Sequence, residues 1–139
     1  MSGTLLLVED NEDDVFAFKR SIRKAQIAHP IQVATDGRRA VAYLEGSGDF
    51  ADRSVYPRPS LVFLDLKLPY MSGLEILAWL RAQPSLQDIP VVVLTGSDEA
   101  RDHRSTSELG AKGYLVKPAE PQQLLDAMKF IATSTGSTI

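Results

Sequence analysis

Leu5-Leu6-Leu7-Val8-Glu9-Asp10 is an apolar run that ends in two carboxylates. The pattern returns as Leu61-Val62-Phe63-Leu64-Asp65, then as Val91-Val92-Val93-Leu94-Thr95 and Tyr114-Leu115-Val116-Lys117-Pro118. Short, nearly continuous apolar runs of this kind read as strands covered on both faces. Strands are predicted over residues 4–9, 31–35, 61–65, 90–95 and 113–117. In open parallel α/β sheets, ligand sites form outside the carboxyl ends of the strands. If the runs pair in parallel, Glu9, Asp10, Asp65, Thr95 and Lys117 gather at one edge of one sheet.

Helical spacing fills the gaps between the runs. Val15, Phe18, Ile22 and Ala25 recur with helical period after the capping-type residues Asn11 and Asp13. Arg38 to Glu45 forms a short second helix with Ala40, Tyr43 and Leu44 inward. Leu74, Leu77 and Leu80 follow Gly73, and Leu124, Met128 and Ile131 form a last stripe opened by Pro121. Residues 99–108 are expected to be a loosely held, water-facing helix, because Ala100 is their only apolar residue before Leu109. Marginal elements of this sort are the ones recruited for switching. Residues 46–59, punctuated by Gly and Pro, read as a loop tacked down by Phe50 and Tyr56, and residues 133–139 as a polar tail. Alternating strand and helix predicts an α/β domain with right-handed crossovers.

With 139 residues the chain suits one domain, and 44% hydrophobic with 24% charged residues is a soluble, globular balance. A net charge of −3 gives no electrostatic reason to expect nucleic acid as a partner. No apolar run is long enough for a membrane span, and no signal peptide is visible, so a cytoplasmic location is expected. The absence of cysteine excludes disulfides and thiolate chemistry. His29 and His103 have no ligand-spaced partner and read as surface residues; Trp79 reads as helix packing.

Carboxylates crowded at one edge repel, by on the order of 4 kcal/mol for charges about 4 Å apart at an effective dielectric near 20. A divalent cation removes that penalty, and hard oxygen ligands select Mg²⁺, Mn²⁺ or Ca²⁺. A carboxylate can also act as nucleophile and become an aspartyl phosphate. Phosphoryl transfer then needs chiefly positioning and charge neutralisation, which a metal, Lys117 and the Thr95 hydroxyl would supply.

Glu9-Asp10, Asp65-Leu66-Lys67-Leu68-Pro69 through Gly73, Thr95-Gly96 and Lys117-Pro118 occur in the order found in one family. Over residues 4–132 the chain resembles the receiver domains of two-component response regulators, and within them the single-domain regulators paired with phytochrome-type histidine kinases. The resemblance implies a flavodoxin-like, doubly wound five-stranded parallel sheet in the order 2-1-3-4-5 with five surrounding helices. It implies a single receiver domain over residues 1–139 with no output domain. It makes Asp65 the phosphoacceptor. Asp10, Asp65 and the backbone carbonyl of Lys67 become ligands of Mg²⁺, for which Mn²⁺ can substitute. Glu9, standing where many receivers have Asp, acts through a metal-bound water. Thr95 and Lys117 hold the phosphoryl oxygens, and Tyr114 moves inward with Thr95 as the switch. A cis Lys117–Pro118 bond and space above Asp65 at Gly96 are implied too, and Lys67 and Ser97 fall where the family tunes phosphoryl lifetime.

The implied function is a phosphorelay step: a sensor histidine kinase, in the finer expectation a phytochrome, phosphorylates Asp65. The signal then leaves by a change of surface, either to an unidentified downstream protein or to a second copy through the last strand and last helix. The chain is thus read as a signalling protein and not an enzyme. The rivals are a small aspartate-nucleophile phosphatase, a pseudo-receiver whose pocket is never phosphorylated, and a flavodoxin-like cofactor binder. The phosphatase usually has an acid/base Asp two residues after its nucleophile, where this chain has Lys67.

Overall fold

The computed structural model describes residues 3–96 and 99–131. Five strands, β1 (Leu5–Val8), β2 (Ile31–Ala34), β3 (Leu61–Leu64), β4 (Val91–Thr95) and β5 (Gly113–Val116), form one parallel sheet in the order β2-β1-β3-β4-β5. Five helices alternate with them: α1 (Glu12–Lys24), α2 (Gly37–Glu45), α3 (Gly73–Arg81), α4 (Ala100–Glu108) and α5 (Pro121–Ala127). This is the flavodoxin-like receiver topology predicted. The strands stop at or just before the residues of interest, so Glu9, Asp65 and Lys117 sit one step beyond strand ends and Thr95 is the last residue of β4.

Strand side chains alternate between faces, and both faces are buried. Leu6, Val8, Val62, Leu64 and Val91 pack with Ala40, Tyr43, Leu44, Ile76, Leu77 and Leu80 of α2 and α3. Leu5, Leu7, Leu61, Phe63, Val92 and Leu94 pack with Phe18 and Ile22 of α1 and Leu124 and Ala127 of α5. The predicted inner face of α2 is therefore observed. In α3 the expectation needs correction: Ile76 lies inward with Leu77 and Leu80, while Leu74 is only half-buried. Ala127 likewise takes an inner position in α5, with Met128 and Ile131 packed at its margin.

Helix starts follow local chemistry. Asn11 caps α1 by accepting from the Asp14 amide at 3.0 Å, and Asp13 sits inside the first turn rather than capping it. Ser72 and Glu75 form a reciprocal capping box at α3. Ser97, which falls where the family tunes phosphoryl lifetime, lies outside the described residues, as do residues 133–139.

The link after α2 is more ordered than a bare loop. It includes a 3-10 turn over Gly48–Phe50, and Tyr43, Phe50 and Tyr56 pack ring against ring with centroids 5.1–6.0 Å apart. Arg53 donates to the carbonyls of Tyr56 and Leu44 at 2.9 Å each.

Helix α4 forms despite its polar sequence. Among its described side chains the buried one is Thr106, whose hydroxyl donates to the Asp102 carbonyl one turn back at 2.8 Å. Arg81 of α3 pins the far end of α4 by donating to the carbonyls of Leu109 at 2.8 Å and Gly110 at 3.2 Å. His29 is not the free surface residue expected: it is half-buried, and its Nδ1 is buried with no hydrogen-bond partner among the described residues. Trp79 packs against the α2–α3 side of the core, as predicted. Among the described residues no helix is long and apolar enough to cross a membrane.

Candidate functional site

The strand order puts β1 and β3 side by side, so their carboxyl ends deliver Glu9, Asp10 and Asp65 to one place. One carboxylate oxygen from each of these three lies within 4.8 Å of the others. Glu9 and Asp65 are buried, at 1% and 4% exposure, whereas Asp10 faces solvent. A cluster of oxygen donors with one open side fits a hard divalent cation that keeps part of its water shell.

Lys117 reaches into the cluster from the end of β5. Its Nζ is 2.7 Å from Glu9 Oε1, 2.9 Å from Asp65 Oδ2 and 2.7 Å from Asp14 Oδ2. Just beyond it, Ser21 of α1 ties the chain down by donating to the Ala119 carbonyl at 2.9 Å; the Lys117–Pro118 peptide is cis, as the family resemblance implied. Burial opposes the ammonium's charge, but hydrogen bonds to Asp14, Glu9 and Asp65 outweigh it and move its pKa above the ordinary lysine value.

Glu9 is pushed the other way for a carboxylate. Burial raises its pKa to about 7, against the lowering effect of its hydrogen bonds with Lys117 and the Asn11 amide. Near neutral pH the lone site therefore retains a proton on Glu9 part of the time, which limits the repulsion within the cluster.

Asp65 Oδ1 accepts from the Lys67 amide at 3.2 Å, so the chain just after the strand folds over the carboxylate. That fold requires a glycine at the start of α3. A Cβ on Gly73 would stand 2.3 Å from the Asp65 carbonyl oxygen and 2.7 Å from Leu66 Cα. A Cβ on Gly96, by contrast, would project into open space.

Thr95 is fully buried, and its hydroxyl finds no partner among the described residues. Tyr114, two residues along β5 from the register partner of Thr95, is half-buried and stacks on His103 of α4 with ring centroids 3.7 Å apart. His103 is exposed as expected, but it carries this contact with the strand aromatic.

The residues predicted for the site are thus brought together at one edge, with Tyr114 set apart against α4. Sequence reading missed Asp14. It stands in an acidic run, Glu12-Asp13-Asp14, in which composition does not say which carboxylate turns inward. Helical phase does: Asp14 lies three and four residues before Ala17 and Phe18, and all three line the pocket beside Lys117 and Pro118.

Comparison with known proteins agrees with this geometry. The model for the response regulator receiver domain matches residues 5–129. Response regulator Rcp1 of Synechocystis sp. is 36% identical over 127 residues, covering 91% of this chain and 82% of Rcp1. The solved Mn²⁺-bound form of Rcp1 superposes with a TM-score of 0.75 at 34% identity, covering 94% of this chain and 92% of that one. The bacteriophytochrome response regulator AtBRR gives 0.83 at 38% identity, covering 95% and 94% of the two chains. The phosphorylated cyanobacterial phytochrome response regulator RcpA gives 0.78 at 34% identity, covering 100% and 97%. The chain belongs to the response regulator receiver domain family.

Proposed function

We propose that this receiver accepts a phosphoryl group on Asp65 from a sensor histidine kinase, in the presence of Mg²⁺, and signals through the resulting change of surface. The observation that carries the proposal is the joining of a three-carboxylate cluster, a half-buried lysine and a buried hydroxyl without a partner among the described residues at one sheet edge. Asp65 is the acceptor, and Lys117 and Thr95 would take the phosphoryl oxygens. Asp10, Asp65 and the Lys67 carbonyl would ligate the metal, with Glu9 acting through a bound water; Mn²⁺ would serve in its place, as the Mn²⁺-bound Rcp1 suggests. The metal supplies charge neutralisation between carboxylates and phosphoryl oxygens.

Tyr114 is the switch residue in this proposal. Its stacking on His103 links any movement of the ring to α4, the helix with the fewest apolar residues. Phosphorylation would shift the population between two arrangements of that face rather than create a new one. Likeness to a bacteriophytochrome response regulator and a phytochrome response regulator supports a phytochrome-type kinase upstream. The chain spans nearly the whole length of those regulators. Its output would be a contact with a downstream protein or a homodimer through β5 and α5, where β5 is an edge strand and Leu125 is 46% exposed. The work of the protein is signalling, not turnover of a substrate.

Intact-mass spectrometry after incubation with acetyl phosphate and Mg²⁺ tests the proposal. One added phosphoryl group, lost without Mg²⁺ and lost in Asp65→Asn, is the expected result. A folded protein that gains no mass refutes it, and steady hydrolysis of simple phosphate esters would point to a phosphatase instead.

A further inference from the structure

Lysine has three N–H donors and no more. In Lys117 all three are engaged, by Glu9 Oε1 at 2.7 Å, Asp14 Oδ2 at 2.7 Å and Asp65 Oδ2 at 2.9 Å. Charging Asp65 turns its own carboxylate into an acyl phosphate, so a phosphoryl group that engages a further N–H of this ammonium must displace Glu9 or Asp14. These two are not equally replaceable. The Glu9 side chain is 2% exposed and cannot turn to water; the Asp14 side chain is 37% exposed and can.

We propose that Asp14 is a positioning residue that competes with the phosphoryl group for Lys117 and so sets how readily Asp65 is charged and how long it stays charged. This rests on Asp65 being the phosphoacceptor. In the uncharged protein Asp14 holds the ammonium against the site. On charging, one Asp65 oxygen forms a bond to phosphorus as the bond from phosphorus to the acetate oxygen of acetyl phosphate breaks, and acetate departs. Lys117 then turns one N–H from Asp14 to a phosphoryl oxygen, and Asp14 rehydrates. On discharge, water attacks the acyl phosphate, inorganic phosphate leaves, the Asp65 carboxylate returns and Asp14 recovers its bond. The Asp14 carboxylate also adds negative charge near an anionic donor, since its oxygen is no further from Asp65 Oδ2 than the two bonds through Nζ laid end to end.

A purely local role is the alternative, because carboxylates in the first turn of a helix favour its dipole. Asp13 occupies that same turn, is exposed and makes no ion pair with Lys117, so it serves as the control. The experiment measures labelling by acetyl phosphate with Mg²⁺, loss of label after donor removal, and hydrogen exchange of the Lys117 ammonium by NMR. Asp14→Asn should label roughly fivefold faster and lose label roughly fivefold more slowly, the scale of one partly screened charge. Its Lys117 protons should exchange faster than in the unaltered protein. Asp14→Glu should return both rates toward the starting values, Asp13→Asn should leave them unchanged, and Asp14→Ala repeats the test if the Asn variant does not fold. Unchanged or slower labelling in Asp14→Asn, or equal changes in Asp13→Asn, overturns the role of Asp14. If the unaltered protein takes no label at all, the acceptor assignment itself fails.

Discussion

Replacing Lys117 with methionine removes a half-buried cation that serves buried carboxylates but keeps most of the side-chain length, and the loss of stability should depend strongly on pH. Glu9 and Asp65 are left as buried carboxylates without their ammonium. Breaking a buried ion pair from one side costs about 3–5 kcal/mol when the other charge has no escape. Glu9 does have an escape. Its pKa in the fold is about 7 against an ordinary 4.5, and its hydrogen bond with Lys117 is one of the forces that hold it down. In Lys117→Met that value rises further. A group whose folded pKa is raised favours the fold fully below its unfolded pKa and loses that contribution as pH climbs through the folded one. At pH 5.5 Glu9 in the variant is neutral, and the remaining deficit is the charged hydrogen bond to Asp65, worth about 2 kcal/mol. At pH 8.5 Glu9 must either ionise without a partner or hold its proton against the solution, and the deficit reaches about 4 kcal/mol. Urea unfolding at both pH values, with a chelator present, measures the two losses directly, because a domain of this size is expected to unfold in one step. A loss below about 1 kcal/mol at pH 8.5 would mean a solvated lysine. Equal losses at the two pH values would mean that Glu9 does not titrate as its burial requires.

Three further outcomes are expected. Mg²⁺ binding should strengthen as pH rises from 6 to 8 and level off above that, with release of the Glu9 proton visible by calorimetry in buffers of different ionisation enthalpy; a flat profile contradicts the raised pKa of about 7. Gly73→Ala should cost about 1–3 kcal/mol and slow phosphoryl uptake, because its methyl group would meet the Asp65 carbonyl at 2.3 Å; thermal unfolding and labelling rates check the two parts. Arg81→Ala should speed amide exchange across α4 while leaving β1 and β3 protected, since its donors hold the Leu109 and Gly110 carbonyls; unchanged exchange in residues 100–109 would show that α4 needs no such pin.

The sheet was legible in the sequence because both of its faces are buried. Leu5-Leu6-Leu7-Val8 and Val91-Val92-Val93-Leu94 leave no polar face to orient, so length and apolarity identify them. The same uniformity hides which helix layer each residue meets. That division, Leu6 and Val8 toward α2 and α3, Leu5 and Leu7 toward α1 and α5, comes from the pairing alone. The site was legible because its residues terminate those runs. What escaped was held by contacts far apart in sequence or by polar atoms that satisfy themselves. Asp14 needs Lys117, which is 103 residues away, to show its purpose. Thr106 is buried in a helix that composition calls polar, because its hydroxyl bonds back to the Asp102 carbonyl and carries no unmet donor inward. Arg81 and Arg53, two cations of a residue type that is mostly exposed, serve chain carbonyls.

These missed contacts bear on how the site and the switch surface are joined. Three carboxylates, Glu9, Asp14 and Asp65, converge on one ammonium, Asp10 adds a fourth beside Glu9 and Asp65, and the protein alone cannot neutralise them all. Beside them Thr95 holds a buried hydroxyl that nothing in the described chain satisfies, a cost of about 1–3 kcal/mol carried by the fold. Such local conflicts in an otherwise consistent structure mark sites that are built for something the chain does not itself contain. A divalent cation would relieve the first conflict and a phosphoryl oxygen the second, so both should favour whichever arrangement of Thr95 brings its hydroxyl to the phosphoryl group. Tyr114 lies on the neighbouring strand and stacks on His103, so a change at Thr95 has a short physical route to α4. Because the described side chains of α4 bury Thr106 and little apolar surface, moving it costs far less than moving α1 or α3, whose inner faces are part of the core. The weak helix thus belongs beside the unsatisfied hydroxyl: the free energy released at the site has to be large compared with what holds the reporting element in place.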